Sequence, residues 1–200
     1  AREYLHGRCL LDESLRYWFI GYNPDEGYGK PEEWGLPMGE KVFIPRGIVI
    51  PCVDDAGLHY IKIRRQSGEP KYFILKGGEQ WPLGLDTYHD RTTAFLLEGE
   101  FDGMLAWQTG FTGVGYASIP ANQTIRKEHQ PFFKSIKDVI VQFDNDEPGQ
   151  AAADELCQLS HFHKAEFFPQ GNDLTDYAQL GGDVFEWIYK QVGLCSSGWL

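Results

Sequence analysis

Thr93-Ala94-Phe95-Leu96-Leu97-Glu98-Gly99 and Val139-Ile140-Val141-Gln142-Phe143-Asp144-Asn145-Asp146 are the stretches on which the fold turns. Each is a short apolar run closed by an acid. A strand apolar on both faces is buried on both, as in parallel sheets. Outward from these two the rhythm continues. The pattern predicts helices over residues 101–109, around 131–137 and over 148–160, with further strands over 112–116 and 165–168. Strands alternating with helices imply right-handed crossovers, so the chain from Arg91 onward reads as an α/β domain with a parallel sheet.

Before residue 90 the punctuation is different. Pro and Gly recur at Pro24, Gly27, Gly29, Pro31, Gly35, Pro37, Gly39, Pro45 and Gly47, which predicts short strands and loops. Two short helices are expected first, over residues 1–5 and again from Asp12-Glu13-Ser14-Leu15, where Asp12 reads as an N-cap. Ile48-Val49-Ile50-Pro51-Cys52-Val53 then ends at the turn Asp54-Asp55-Ala56-Gly57, and His59-Tyr60-Ile61-Lys62-Ile63-Arg64 alternates as a half-buried strand. A second turn, Gln66-Ser67-Gly68-Glu69-Pro70, leads into Lys71-Tyr72-Phe73-Ile74-Leu75-Lys76. The expected division is a smaller mixed α+β, largely antiparallel module over residues 1–90 and a parallel-sheet domain with a helical tail over 91–200.

Composition narrows the class. With 42% hydrophobic residues in 200, the chain has material for a core and is not a disordered tail. No apolar run approaches the roughly 18 residues of a membrane span, so no membrane partner is expected. Cys9, Cys52, Cys157 and Cys195 lie far apart with no C-x-x-C pair, which argues against a zinc ribbon and for a reducing, cytoplasmic setting. The opening Ala1-Arg2-Glu3-Tyr4 lacks Met and an apolar signal core, so a processed chain or an excised fragment is expected. The net charge is −11, unevenly spread: residues 1–90 hold 11 basic and 14 acidic side chains, residues 91–200 hold 7 and 15.

The excess acid has a pattern. Glu98 follows one strand, Asp144 and Asp146 follow another, and Asp173 and Asp176 come shortly after the last. Ligands bind outside the carboxyl ends of strands in open parallel sheets, so these acids converge on one edge. Gathered carboxylates repel one another unless a cation sits among them. Oxygen donors without paired His or Cys suit Mg²⁺ or Mn²⁺, and such a site serves phosphoryl transfer. Glu98, Asp144 and Asp146 are the expected catalytic and metal-binding acids. Asp102, one helical turn past Glu98, reads equally as an outer ligand or as a first-turn helix acid. Asp146 before Pro148-Gly149 also suits a helix cap.

Leu96-Leu97-Glu98-Gly99-Glu100-Phe101-Asp102, Phe143-Asp144-Asn145-Asp146-Glu147-Pro148-Gly149-Gln150-Ala151-Ala152 and Gly171-Asn172-Asp173-Leu174 resemble, in order and spacing, the three motifs of the Toprim domain of bacterial primases, topoisomerases and some nucleases. Tyr4-Leu5-His6-Gly7-Arg8-Cys9-Leu10 with Ile20-Gly21-Tyr22-Asn23-Pro24 resembles the opening of the DnaG-type primase core, a preface that topoisomerases and Toprim nucleases lack. The resemblance implies a primase RNA-polymerase core of a phage, plasmid or divergent bacterial kind. It implies metal on Glu98, Asp102, Asp144, Asp146, Asp173 and Asp176, a single-stranded DNA template, nucleoside triphosphates and a replicative helicase as partner. Asn145 and Pro148 depart from the family's Gly and Ala, and Thr175 falls where its last acid is usual, with Asp176 one residue on.

Lys62, Arg64, Arg65, Lys71 and Lys76 stand against one acid, Glu69, and read as a phosphate track with Tyr60 and Tyr72 for stacking, or else as a solvated sheet face. His161 and His163 have no third ligand nearby and read as a surface pair at a helix end. The leading functional reading is metal-assisted synthesis of short primers on single-stranded DNA. A second is a non-catalytic Toprim module binding single-stranded DNA or a replication partner, and a third is a Toprim nuclease.

Overall fold

The computed structural model describes residues 1–120 and 125–196. In chain order it contains α1 (Arg2–Gly7), α2 (Asp12–Tyr17), β1 (Gly21–Asn23), β2 (Gly27–Gly29), β3 (Val42–Ile44), β4 (Gly47–Asp54), β5 (Gly57–Arg65) and β6 (Tyr72–Ile74). It continues with β7 (Thr93–Leu97), α3 (Glu100–Gln108), β8 (Val114–Ser118), α4 (Gln130–Phe133), β9 (Asp138–Gln142), α5 (Glu147–Leu156), β10 (Phe162–Lys164), α6 (Leu174–Gln179) and α7 (Val184–Ser196). The chain divides into two compact units, one of residues 1–3 and 15–81, the other of residues 4–14 and from Pro82 onward. Among the described residues no helix is long and apolar enough to cross a membrane.

The first unit is built on an antiparallel sheet in the order β1-β4-β5-β6, with β2 and β3 paired separately. The hairpin β4–β5 is its spine: Ile50 pairs with Lys62, Ile48 with Arg64 and Cys52 with Tyr60. Ile48, Ile50 and Cys52 share one buried face with Tyr60 and Lys62, and Ile63 is buried on the other, so burial in His59–Arg64 does not follow the expected apolar and polar alternation.

The second unit carries a four-stranded parallel sheet in the order β10-β9-β7-β8. The apolar runs behave as their composition demands. Ala94 through Leu97 and Val139 through Val141 are at most 1% exposed, because helices cover the sheet. The helix α3 packs on β7 and β8, and α7 packs on β9 and α3. Rings fill the joints: Trp187 lies 4.7 Å from Phe168 and 6.0 Å from Phe95, and Tyr88 meets Phe133 edge-on at 5.2 Å.

One expected strand is misplaced. The fourth strand is Phe162–Lys164, paired with Val139–Val141, and not residues 165–168. The apolar weight of Phe167-Phe168 drew the expectation, but register is set by Phe162, which is buried, and by two polar anchors. His163 bonds Asp138 at 3.0 Å, and Lys164 bonds Asp154 at 2.6 Å. His163 is therefore part of a strand, not of a helix end. The helix α5 correspondingly stops at Leu156, short of the expected residue 160.

Residues 4–14 form a strap on the second unit, fastened by side-chain amides. The Gln108 amide donates to the Cys9 carbonyl at 2.6 Å and accepts from the Leu11 N–H and the Ser14 hydroxyl, both at 2.9 Å. Gln179 donates to the Gly7 carbonyl from the other side. Gln108→Leu removes three hydrogen bonds and leaves their partners unpaired, an expected loss of about 2–3 kcal/mol. Hydrogen exchange at residues 8–12 should speed up in this variant while the amides of β7 and β9 stay protected.

Candidate functional site

The site begins with the order of the strands. From β7 the chain leaves through α3 to β8 on one side, and from β9 it leaves through α5 to β10 on the other. Adjacent strands whose connections part in this way open a crevice at their carboxyl ends. Leu97 and Gln142 are register partners at that end, so Glu98 and the Phe143-Asp144 turn emerge side by side. The Asp144 N–H donates to Glu98 Oε2 at 3.2 Å, which aims Glu98 onto the Asp144 turn.

Two glycines make room for this. A Cβ on Gly149 would stand 2.6 Å from the Asp144 carbonyl oxygen and 3.0 Å from Glu98 Oε2, so a side chain there would displace either the turn or the acid. A Cβ on Gly99 would collide with the Asp102 carboxylate.

Glu98, Asp102, Asp144 and Asp173 together edge a small hollow floored by Leu97, Phe143, Phe168 and Leu174. Asp146 and Asp176 are not in its lining. Asp146 caps α5, accepting from the Gly149 N–H at 2.8 Å, and it is exposed. Asp176 accepts from the Asn172 N–H at 3.3 Å. Asn172 also ties the loop to the turn, its side-chain amide donating to Asp144 Oδ2 at 3.4 Å and its carbonyl accepting from the Asn145 N–H at 2.8 Å.

Asp102 is 6% exposed, and its Oδ1 accepts from the Thr175 hydroxyl at 2.6 Å and from the Thr175 N–H at 3.0 Å. Asp173 caps α6 through the Asp176 N–H at 2.6 Å and takes the Arg8 guanidinium on its other oxygen at 3.4 Å. Arg8, Thr175, Asn172 and Gln108 had no assigned role in the sequence reading. Arg8 lies within the opening motif and Thr175 marks a departure, and those were the signals available.

Crowding shows in the protonation of the acids. Burial, then the charges of Glu98, Asp102, Asp173 and Asp146, push the Asp144 carboxyl up to about 7. Burial and Asp173 also raise Asp102, against the hydrogen bonds from Thr175 and the charge of Arg8. Burial alone would pull the Arg8 guanidinium down, but the Tyr4 hydroxyl, Asp102 and Asp173 outweigh it, and the group stays a cation.

The donor set suits a hard divalent cation: oxygen atoms only, held close enough to raise one another's proton affinity. Among the described residues no three Asp, Glu, His or Cys side chains close on one point as a finished coordination sphere. The acids edge the hollow and do not enclose it.

The basic strip divides on inspection. Lys62 is 7% exposed, its ammonium 5.5 Å from the Tyr60 ring centre and 5.8 Å from that of Tyr72, so it is not an open phosphate contact. Arg65 turns onto its own hairpin, donating to the Glu69 carbonyl at 2.8 Å. Lys76 faces Glu40 at 3.8 Å in a solvent-exposed pair. Lys71 is exposed, 5.7 Å over the Tyr72 ring, and Arg64 is half-buried on the same sheet face as Lys62.

Residues 95–178 match the Toprim-like family model. The chain as a whole has the fold of DnaG-type primase catalytic cores. It superposes on the zinc-binding and RNA polymerase domains of the Aquifex aeolicus primase with a TM-score of 0.71 at 20% identity, over 96% of this chain and 55% of that one. A DnaG primase catalytic domain bound to single-stranded DNA gives 0.71 at 20% identity, over 96% and 70%. The primase fragment of the bacteriophage T7 primase-helicase protein gives 0.68 at 20%, over 94% and 72%. The chain thus spans little more than half of the Aquifex protein's structure. No curated protein matches it in sequence.

A carboxyl whose folded pKa is raised stabilises the fold below its ordinary pKa near 4 and loses that contribution as pH rises through 7. The chain in chelator should therefore melt at a lower temperature at pH 8 than at pH 5. Asp144→Asn should flatten this slope, with its largest gain over wild type at pH 8. A wild-type melting temperature level between those pH values would contradict the crowding of Asp144.

Proposed function

We propose that the chain is a primase-like polymerising core, which extends short oligonucleotide primers on single-stranded DNA by metal-assisted nucleotidyl transfer. The observation that carries this is the pairing of Glu98 with the Asp144 turn at the switch point of a primase-core fold. The sites below are part of the proposal.

Glu98, Asp144 and Asp146 would hold Mg²⁺ or Mn²⁺, and the ion when bound supplies charge neutralisation for the nucleotide phosphates and acidifies the attacking hydroxyl. The chain's residues prepare for it. Asp144 keeps a proton to about pH 7 and gives it up on loading, which spares the empty site one negative charge. Asn172 fixes the Asp144 side chain, and the Asp144 N–H fixes Glu98, so the acids are oriented before substrate arrives. In the first unit, Lys71 and Arg64 would bind the template's phosphates, with the half-exposed Tyr72 ring as a stacking platform. Nucleoside triphosphates, the template and a replicative helicase are the partners this reading implies.

One observation favours the non-catalytic alternative, a Toprim-like module that binds DNA or a replication partner. Thr175 is neutral where the resemblance places the last acid, and no three carboxylates close on a point among the described residues. Incubation with single-stranded template, labelled ribonucleotides and Mn²⁺ separates the readings. Primase activity yields labelled oligonucleotides, the binding module yields none, and a nuclease shortens the template. Glu98→Gln and Asp144→Ala should each lower product by at least about 100-fold with the melting transition retained. Full synthesis by both variants ends the assignment.

Lys71→Ala should weaken binding of single-stranded DNA by about threefold to tenfold and flatten its salt dependence by about one counterion. Fluorescence anisotropy at several salt concentrations measures both.

A further inference from the structure

The direction of the Asp144 carboxylate is set by the peptide units on either side of it, and both are held. The N–H of the unit before Asp144 donates to Glu98 Oε2 at 3.2 Å. The unit after it is gripped at both ends. Its carbonyl, that of Asp144, accepts from Gln150 Nε2 at 2.9 Å, and its N–H, that of Asn145, donates to the Asn172 carbonyl at 2.8 Å. A residue has only two soft backbone dihedrals, so fixing both neighbouring planes fixes the Cα–Cβ bond between them. The Asn145 side-chain amide donates to the Gly171 carbonyl at 3.2 Å, which ties down the loop that grips the N–H end.

Gln150 has no other evident task. It lies one turn into α5, with its own N–H on the Asp146 carbonyl at 3.0 Å, and its side chain turns back to the Asp144 carbonyl. A Cβ on the preceding residue, Gly149, would stand 2.6 Å from that same oxygen, so the glycine leaves the space and the glutamine supplies the donor. A carbonyl accepts only from the NH₂ end of the amide, which turns the Gln150 Oε1 away. That oxygen is buried with no donor among the described residues. Leucine, nearly the same size, would remove this unmet acceptor and create another at Asp144, so the fold gains little from glutamine here. What glutamine does supply is a fixed peptide next to a carboxylate of the hollow.

We propose that Gln150 is a positioning residue for the divalent ion: by holding the Asp144–Asn145 peptide it keeps the Asp144 carboxylate on the edge of the hollow before an ion arrives. Gln150 touches neither ion nor substrate and acts through Asp144 alone. The inference rests on the metal-dependent reading above, and its tests are ion affinity and amide exchange, both separate from primer synthesis.

The experiment titrates the full chain with Mn²⁺ alone, following free and bound ion by electron paramagnetic resonance, and melts the same proteins in chelator. Gln150→Leu should melt within about 3 °C of wild type in chelator, because the gain and loss of buried acceptors offset each other. Its Mn²⁺ affinity should fall by about tenfold, the lower end for a group that orients a ligand without touching the ion. Gln150→Leu binding Mn²⁺ as tightly as wild type overturns the inference and leaves the metal-dependent reading standing. A second arm needs no variant and holds even if Gln150→Leu fails to fold. In wild type, the Asp144 and Asn145 amides should resist hydrogen exchange in chelator as well as they do in Mn²⁺. Protection that arises only when Mn²⁺ is added overturns the inference, since the ion would then be organising the turn. Absence of Mn²⁺ binding by wild type removes the metal-dependent reading and this inference with it.

Discussion

Mutual repulsion among Glu98, Asp102, Asp144 and Asp173, gathered where two parallel strands part company, is the constraint to which the surrounding structure answers. Strand order creates the crevice and fully buried apolar strands make its floor stiff, so the acids cannot relieve their repulsion by moving apart. The relief is local and chemical. The Asp144 carboxyl is pushed up to about 7, Asp102 draws on Thr175, and Asp173 draws on a helix terminus and on Arg8. A protein built only for stability would place Asn or Leu at these positions, and four crowded acids stand there instead.

The same economy explains the polar residues around the acids. Asn145 and Asn172 stitch the Asp144 turn to the loop before α6, which brings the ends of β9 and α6 into one frame. At Gly99 and Gly149 any side chain would push into a carboxylate or its turn. In the first unit the positive charge is handled differently. Lys62 is packed among rings and Arg65 closes a turn, whereas Lys71 and Lys76 of the same strip are exposed.

What was legible in the sequence follows from range. The strands β7 and β9 and the acids behind them could be read because a doubly buried strand is a local apolar run and a strand-end acid is its immediate neighbour. The position of β10 was not legible, since three residues with a single buried side chain carry almost no pattern and depend on Asp138 and Asp154, at least ten residues away. Nor was the division of labour among the acids, because it is decided by donors such as Arg8, Thr175 and Asn172 that share no periodicity with them. The strap shows the limit most plainly: Gln108 and Gln179 fix it by side-chain amides, a residue type with no sequence signature for such a task.

Arg8 and Asp173 are 165 positions apart, with the whole antiparallel unit threaded between them. During synthesis the strap is made before α3 and α6, whose Gln108 and Gln179 hold it, and has nowhere to dock until both have left the ribosome. The antiparallel hairpin needs only neighbours in the chain and can assemble in that interval, whereas the acid-bearing half must wait for its own beginning to return. Closure of this long loop completes the carboxylate edge, so Arg8 cannot shield Asp173 until α6 has been made.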